Sequence, residues 1–263
     1  MLSAAVFRNT GINLSDYRAS TVSRRIATRL TAVNCRTYHE YLDLLERDPD
    51  EAGKLISHLT IKWSTFFRDA AFFASMRTQL LPELLDREPA VRIWSAGCGR
   101  GEEAYSLAIL LTELDRRRKP GRWEIEATDV DETALADAAR RTYGARSLEN
   151  VPDHVVRDFF SRHSARTGAG YRLHDDVGER VRFSRHDLLS GMARPLSPYH
   201  LVLCRNVTIY FQSAVHGRVF DLLSSSVSAG GYLCLGEAEQ LPAAYTHEFD
   251  TIDRKTRIYR KKS

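Results

Sequence analysis

The stretch 91-VRIWSAGCGRGEEAYSLA-108 decides the fold. Val91 to Ser95 is a short β-rich run, and Glu103 to Arg116 carries helical periodicity. Gly97, Gly99 and Gly101 therefore sit in a turn from a strand into a helix. Glycine there lets the backbone turn sharply and lets a ligand approach main-chain N–H groups, while the N-terminus of the following helix favours a negative group. A nucleotide-type cofactor is implied. The dinucleotide pattern GxGxxG needs its third glycine at position 102, which is Glu102, so a nicotinamide cofactor is disfavoured. No GK[ST] follows, which argues against a nucleoside triphosphate. GxGxG is the spacing associated with S-adenosylmethionine enzymes.

Working outward, the β-rich runs are Val91 to Ser95, Trp123 to Thr128, Val181 to Ser184, His200 to Cys204, Tyr232 to Leu235 and Arg257 to Arg260. Helical segments alternate with them at Glu103 to Arg116, Glu132 to Arg141 and Ala214 to Ser226. This alternation predicts an α/β, doubly wound, Rossmann-like domain with its chemistry at the strands' C-terminal ends. Residues 145–180 break the alternation: an apolar helix (Val155, Val156, Phe159, Phe160), then a turn at Thr167 to Gly170, predict an inserted antiparallel β-subdomain. Upstream, the stripes Val22/Ile26/Leu30/Val33, Tyr41/Leu42/Leu45 and Leu55/Ile56/Leu59 predict helices alone. The expected division is an N-terminal helical domain over 1–70, a linker helix over 71–90 and the α/β domain over 91–263, with the insert at about 145–180.

The 263 residues carry a formal charge of +4, a mild basic excess that favours acidic partners without demanding nucleic acid. Apolar runs such as Leu107 to Leu111 are too short to span a bilayer, and no basic segment followed by an apolar stretch opens the chain, so a cytoplasmic monomer is expected. Cys35, Cys98, Cys204 and Cys234 form no CxxC pair. They predict buried thiols, with neither a metal site nor a disulfide framework.

The second strand ends in Asp129, thirty residues past Gly99. A carboxylate there is placed to accept hydrogen bonds from both hydroxyls of an adenosyl ribose; alone, it reads equally well as a cap for the helix beginning near Glu132. Two further segments stand out. In 62-KWSTFFRD-69, paired aromatics adjoin Arg68, and 204-CRNVTIYF-211 follows the fourth strand, placing Arg205, Asn206 and Tyr210 where a substrate would sit.

At this point the sequence resembles the chemotaxis receptor methyltransferases, the CheR family. Four blocks carry the resemblance in order: TFFRD at 65–69, WSAGCGRGEEAYS at 94–106, CRNVTIYF at 204–211 and GGYLCLGEAE at 230–239. It implies a helical N-terminal domain, an S-adenosylmethionine domain with a small β-subdomain between the second and third core strands, and methyl transfer to glutamate side chains of bacterial chemoreceptors. It implies cofactor contacts at Ser64, Arg68, Glu103, Asp129, Asp187, Leu188, Arg205 and Asn206, with Arg68 and Tyr210 bordering the transferred methyl. Lys62 replaces an asparagine that contacts the cofactor in the family, Ser64 replaces a threonine, and Glu237 stands where histidine is common. Lysine brings a charge beside the cationic sulfonium and removes an acceptor.

A glutamate acceptor is ionised at neutral pH and needs no strong general base, so orientation is the main requirement. Arg68 would position cofactor or acceptor, and Tyr210 would hydrogen-bond the acceptor oxygen or serve only as a core tyrosine. Arg18, Arg25, Arg29 and Arg36, spaced seven, four and seven apart, would share one face of a continuous helix and dock the acidic cytoplasmic helices of chemoreceptors, unless they form only a solvated face. Two alternatives stay open: a CheR-like binding module with weakened turnover, suggested by Lys62, and a nucleic-acid methyltransferase. Against the latter, the [DN]PP[YF] tetrad is absent after the fourth strand.

Overall fold

The computed structural model describes residues 1–60, 64–117, 122–165, 168–190, 192 and 198–263. Four helices come first: α1 (Leu2–Thr10), α2 (Ala19–Ala32), α3 (Tyr38–Arg47) and α4 (Pro49–Leu59). Their apolar stripes meet in a core of Val6, Ile26, Leu30, Tyr41, Leu45 and Leu55. One ion pair is buried among them: Arg29 forks onto Glu51 at 2.5 and 2.7 Å, and the Tyr41 hydroxyl donates to the same carboxylate at 2.9 Å. That pair corrects the expected arginine stripe. Arg29 is spent inside the bundle, Arg18 is the N-cap of α2, and the helix ends at Ala32, so Arg36 lies past it. Asn34, at φ +57°, turns the chain out of the helix, a left-handed position that asparagine tolerates better than most residues.

Next, α5 (Ala70–Ser75) runs through a π-helical turn (Met76–Leu80) into α6 (Leu81–Arg87), which leads to the sheet. The α/β part follows as β1 (Val91–Ala96), α7 (Glu102–Arg117), β2 (Trp123–Asp129), α8 (Glu132–Arg140), β3 (Thr142–Gly144), α9 (Asp153–Phe159), β4 (Phe160–Ala165), β5 (Gly168–Leu173), α10 (Asp175–Gly178), β6 (Val181–Arg185), β7 (Tyr199–Cys204), α11 (His216–Ser226), β8 (Val227–Leu235), β9 (Phe249–Asp253) and β10 (Ile258–Lys261). Seven strands form one sheet in the order β6-β2-β1-β7-β8-β10-β9. The first five are parallel, and β10 and β9 close one edge antiparallel. The insert is a separate antiparallel sheet, β3-β5-β4, standing in sequence between core strands β2 and β6.

Both faces of the central strands are covered, which explains their near-continuous apolar sequences. Along β1, Val91 and Ile93 enter one core with Leu107, Leu111 and Phe159, while Trp94 and Ala96 enter the other with Tyr199, Phe220 and the helices of the N-terminal bundle. Among the described residues no helix is long and apolar enough to cross a membrane. Cys98, Cys204 and Cys234 are buried free thiols, and Cys35 is half-buried.

Candidate functional site

The turn after β1 is built on main-chain hydrogen bonds. The N–H groups of Gly97 and Cys98 both donate to the Thr128 carbonyl, at 2.7 and 2.9 Å, which ties the glycine loop to the end of β2. Gly97 (φ +76°), Gly99 (φ +55°) and Gly101 (φ +85°) all occupy the left-handed region where glycine is strain-free. Their surroundings differ. A Cβ on Gly97 would lie 2.4 Å from Val207 Cγ2, and one on Gly101 would lie 2.9 Å from the Phe183 ring. Among the described residues, none apart from its chain neighbours has a heavy atom within 4 Å of the Cβ position at Gly99. Gly99 therefore presents open backbone to a cleft, whereas Gly101 seats α7 against Phe183 and Ala138, away from it.

Asp129 ends β2 directly below this loop. Its carboxylate accepts from the Gly99 N–H at 2.8 Å and from the Asp131 N–H at 2.9 Å. Burial pushes its pKa up, and those two N–H groups pull it back. Capping of α8 falls instead to Asp131, which accepts from the N–H groups of Thr133 and Ala134. The capping alternative thus belongs to the neighbouring acid.

The cleft has two halves that share Gly97, Gly99, Asn206 and Tyr210. One half, about 700 Å³, is walled mainly by apolar groups of Tyr17, Leu59, Val130, Leu188 and Phe211, with Asp129 and Asp187 at its edge. The other, about 610 Å³, is lined by Ser64, Thr65, Arg68, Arg100, Glu103 and Arg205. Ser95 Oγ donates to Glu103 at 2.8 Å, and Arg205 bridges Glu103 (3.2 Å) to Asp69 while its guanidinium lies 3.9 Å above the Phe72 ring. Arg205 is thus an internal tie among acidic and aromatic groups. Burial raises the Tyr210 phenol, and the cations Arg68 and Arg25 moderate the shift.

Of the sequence-predicted residues, Ser64, Arg68, Gly97, Gly99, Glu103, Asp129, Asp187, Leu188, Arg205, Asn206 and Tyr210 converge on this cleft. Gly101 does not line it, and Lys62 lies outside the described residues. Sequence reasoning missed Tyr17, whose backbone bridges Phe211 and whose ring meets the Phe211 ring edge-on at 5.3 Å. It missed Leu59 and Thr60 at the end of α4 as well; nothing in the helical stripes marks them as site residues. It also assigned no role to Glu239, although that residue closes one of the quoted blocks. Glu239 accepts from the N–H groups of Asn206, Val207, Thr208 and Gly236 and from the Thr208 hydroxyl, all at 2.7–2.9 Å.

This geometry fits S-adenosylmethionine. Gly99 leaves room for close approach, the apolar half suits a purine, Asp129 keeps lone pairs for a ribose diol, and the polar half offers both charge signs to an amino-acid terminus. The class so defined is the Rossmann-like S-adenosylmethionine-dependent methyltransferase. Residues 62–258 match the family model described as CheR methyltransferase, SAM binding domain, and residues 1–60 match CheR methyltransferase, all-alpha domain. The chain belongs to the CheR methyltransferase family. Among curated relatives, a chemotaxis protein methyltransferase of Listeria innocua is 32% identical over 91% of this chain and 89% of its own length. A chemotaxis protein methyltransferase 2 of Pseudomonas aeruginosa is 30% identical over 89% and 83%. A 104.1 kDa protein of Rhodobacter capsulatus is 32% identical over 94% of this chain, which spans only 26% of that longer protein.

Proposed function

We propose that this CheR-family methyltransferase esterifies glutamate side chains of bacterial chemoreceptors. The observation that carries the reading is the lining of the polar half of the cleft, where Arg68, Arg100 and the Tyr210 phenol stand beside the Arg205–Glu103 pair and no histidine is among the described lining residues; His186 lines the apolar half. Such a site suits an acceptor that arrives already anionic. A glutamate carboxylate, with a reference pKa of about 4.3, needs no base to become a nucleophile at neutral pH. The named function of the Listeria and Pseudomonas relatives supports the chemoreceptor as substrate.

S-adenosylmethionine supplies an electrophilic methyl on a sulfonium. When bound, it would supply that methyl to an already ionised carboxylate oxygen, sulfur being the leaving atom, and the chain would have no proton to move. What the chain contributes is placement, which is worth several kcal/mol when attacking and leaving atoms are held in line. In this reading Asp129 takes the ribose hydroxyls, Asp187 and Leu188 border the purine, Glu103 holds the ammonium group, and Ser64 and Asn206 line the path between. Arg68 draws the acceptor carboxylate in and Tyr210 donates to one of its oxygens. Arg18 and Arg25 remain as docking cations for an acidic receptor helix, since Arg29 is engaged by Glu51.

The test is incubation with methyl-labelled S-adenosylmethionine and a receptor cytoplasmic fragment. Base-labile methyl esters on glutamate are expected. Base-stable label would overturn the proposed ester chemistry, and absence of transfer with product binding intact would favour the binding-module alternative. Tyr210→Phe is expected to lower kcat roughly tenfold or more with binding of S-adenosylhomocysteine kept; unchanged turnover removes Tyr210 from the mechanism.

A further inference from the structure

The loop from Arg205 to Phe211 carries Asn206 and Tyr210, yet little in its own sequence explains its shape. Asn206 sits at φ +61°, a conformation that needs support from outside when the residue is not glycine. Support comes from one side chain thirty-three positions away. Glu239 is 3% exposed, and its carboxylate collects three consecutive loop N–H groups, the Thr208 hydroxyl and the N–H of Gly236. Successive N–H groups converging on one point form an anion-binding concavity. Here the chain fills that concavity with its own carboxylate.

Two glycines record how tightly the loop is wedged. A Cβ on Gly236 would stand 2.7 Å from both the Asn206 nitrogen and Glu239 Oε2, so only glycine lets the 236–239 turn approach this closely. On the opposite side, Val207 fills the space where a Gly97 Cβ would be, at 2.4 Å. The order of contact runs from Glu239 to the backbone of 206–208, then through Val207 to the glycine loop. Moving Glu239 would shift Asn206 and Tyr210 relative to Gly97 and Gly99, the residues shared by both halves of the cleft.

We infer that Glu239 is a positioning residue for methyl transfer, a buried internal anion that sets the distance and orientation of the Asn206–Tyr210 loop against the Gly97–Gly99 loop. The inference rests on the proposed role of this cleft in methyl transfer. It assigns Glu239 no contact with cofactor or acceptor.

Glu239→Gln tests it, because the isosteric amide must turn its NH2 group toward N–H donors on one side. Three readouts apply: amide hydrogen exchange at residues 206–208, binding of S-adenosylhomocysteine by calorimetry, and steady-state turnover on a receptor cytoplasmic fragment. In a variant that remains folded, exchange at those three amides is expected to accelerate while the β1 and β7 amides stay protected. Turnover is expected to fall roughly tenfold or more, as misplacement of a reacting group does, with the KM for S-adenosylmethionine changing several-fold at most. In a Tyr210→Phe background the same substitution should cost much less, since both act on one group. Wild-type kcat in folded Glu239→Gln, or full additivity with Tyr210→Phe, overturns the inference. If Tyr210→Phe alone is silent while Glu239→Gln is not, the role given to Tyr210 fails and the loop acts through Asn206. Thr208→Val, which removes only the hydroxyl donor, covers the case in which Glu239→Gln does not fold: a several-fold loss of kcat at unchanged cofactor affinity is expected, and none overturns the inference.

Discussion

Two loops face each other across the cleft, and they obtain their shapes by different means. The loop at 97–101 follows from its own residues: three glycines at positive φ, pinned by Thr128 and Asp129 at the end of the adjacent strand. The loop at 205–211 holds an asparagine at positive φ and takes its form from Glu239, which reaches it from beyond the next strand. One loop is therefore vulnerable at its own positions, and the other at a distance.

The strongest way to break this contrast is Gly97→Ala. The added methyl would meet Val207 while the residue sat at φ +76°, so it disturbs both loops at once. Affinity for S-adenosylhomocysteine is expected to fall more than about a hundredfold, the scale at which one displaced contact surface disables a site, measured by calorimetry. Asp129→Asn strikes the first loop alone. An amide NH2 replaces an acceptor facing the Gly99 or Asp131 N–H, and the charge proposed to meet the ribose is lost. A drop of about ten- to a hundredfold in the same measurement is expected, as for hydrogen bonds to a charged group, with the thermal midpoint falling as well. If Asp129→Asn bound product normally, the first loop would be as independent of its carboxylate as it is dependent on its glycines.

The smallest effect on the cleft itself, read as stability and not as binding, sharpens the comparison from behind. Glu102 directly follows the glycine loop but is buried, and burial pushes its carboxyl up to about 7. A carboxyl whose folded pKa exceeds its unfolded value costs stability as pH rises from about 4.5 through 7. Glu102→Gln is therefore expected to stabilise the protein by about 3 kcal/mol at pH 8 and to be nearly neutral at pH 4.5, as read by urea denaturation at the two pH values. Equal effects at both would mean that burial leaves the pKa of the Glu102 carboxyl where it is in the unfolded chain.

The same contrast explains what was legible in the sequence. The glycine loop, Asp129 and the alternating strands are local patterns, and the structure has most of them within a residue or two: β1 ends at Ala96 and β2 at Asp129, while β8 begins at Val227, five residues before the expected Tyr232. Strand β9 escaped because FDTID carries two aspartates and lies on the sheet edge, where the burial that makes strands readable is reduced. β3, only three residues long, has no period to detect. The arginine stripe was overextended although Asn34 carried a stop signal. Tyr17 and Leu59 reach the cleft, and Glu239 reaches the loop that borders it, only through tertiary packing, so their own neighbourhoods in the sequence say nothing of it.

The segment 64–69, which supplies Ser64 and Arg68, does not hang free. Phe66 is gripped edge-on between Tyr143 and Phe160 of the inserted sheet, its N–H donates to the Ser147 carbonyl, and Asn150 donates to Thr65. The insert is thus a buttress for the wall nearest the chemistry. Trimming it to a short turn would take the seat from under Phe66, slacken the strip that bears Arg68 and open the polar half of the cleft to bulk water, and it would strip Tyr143, Phe159 and Phe160 from the core that the insert shares with the central sheet.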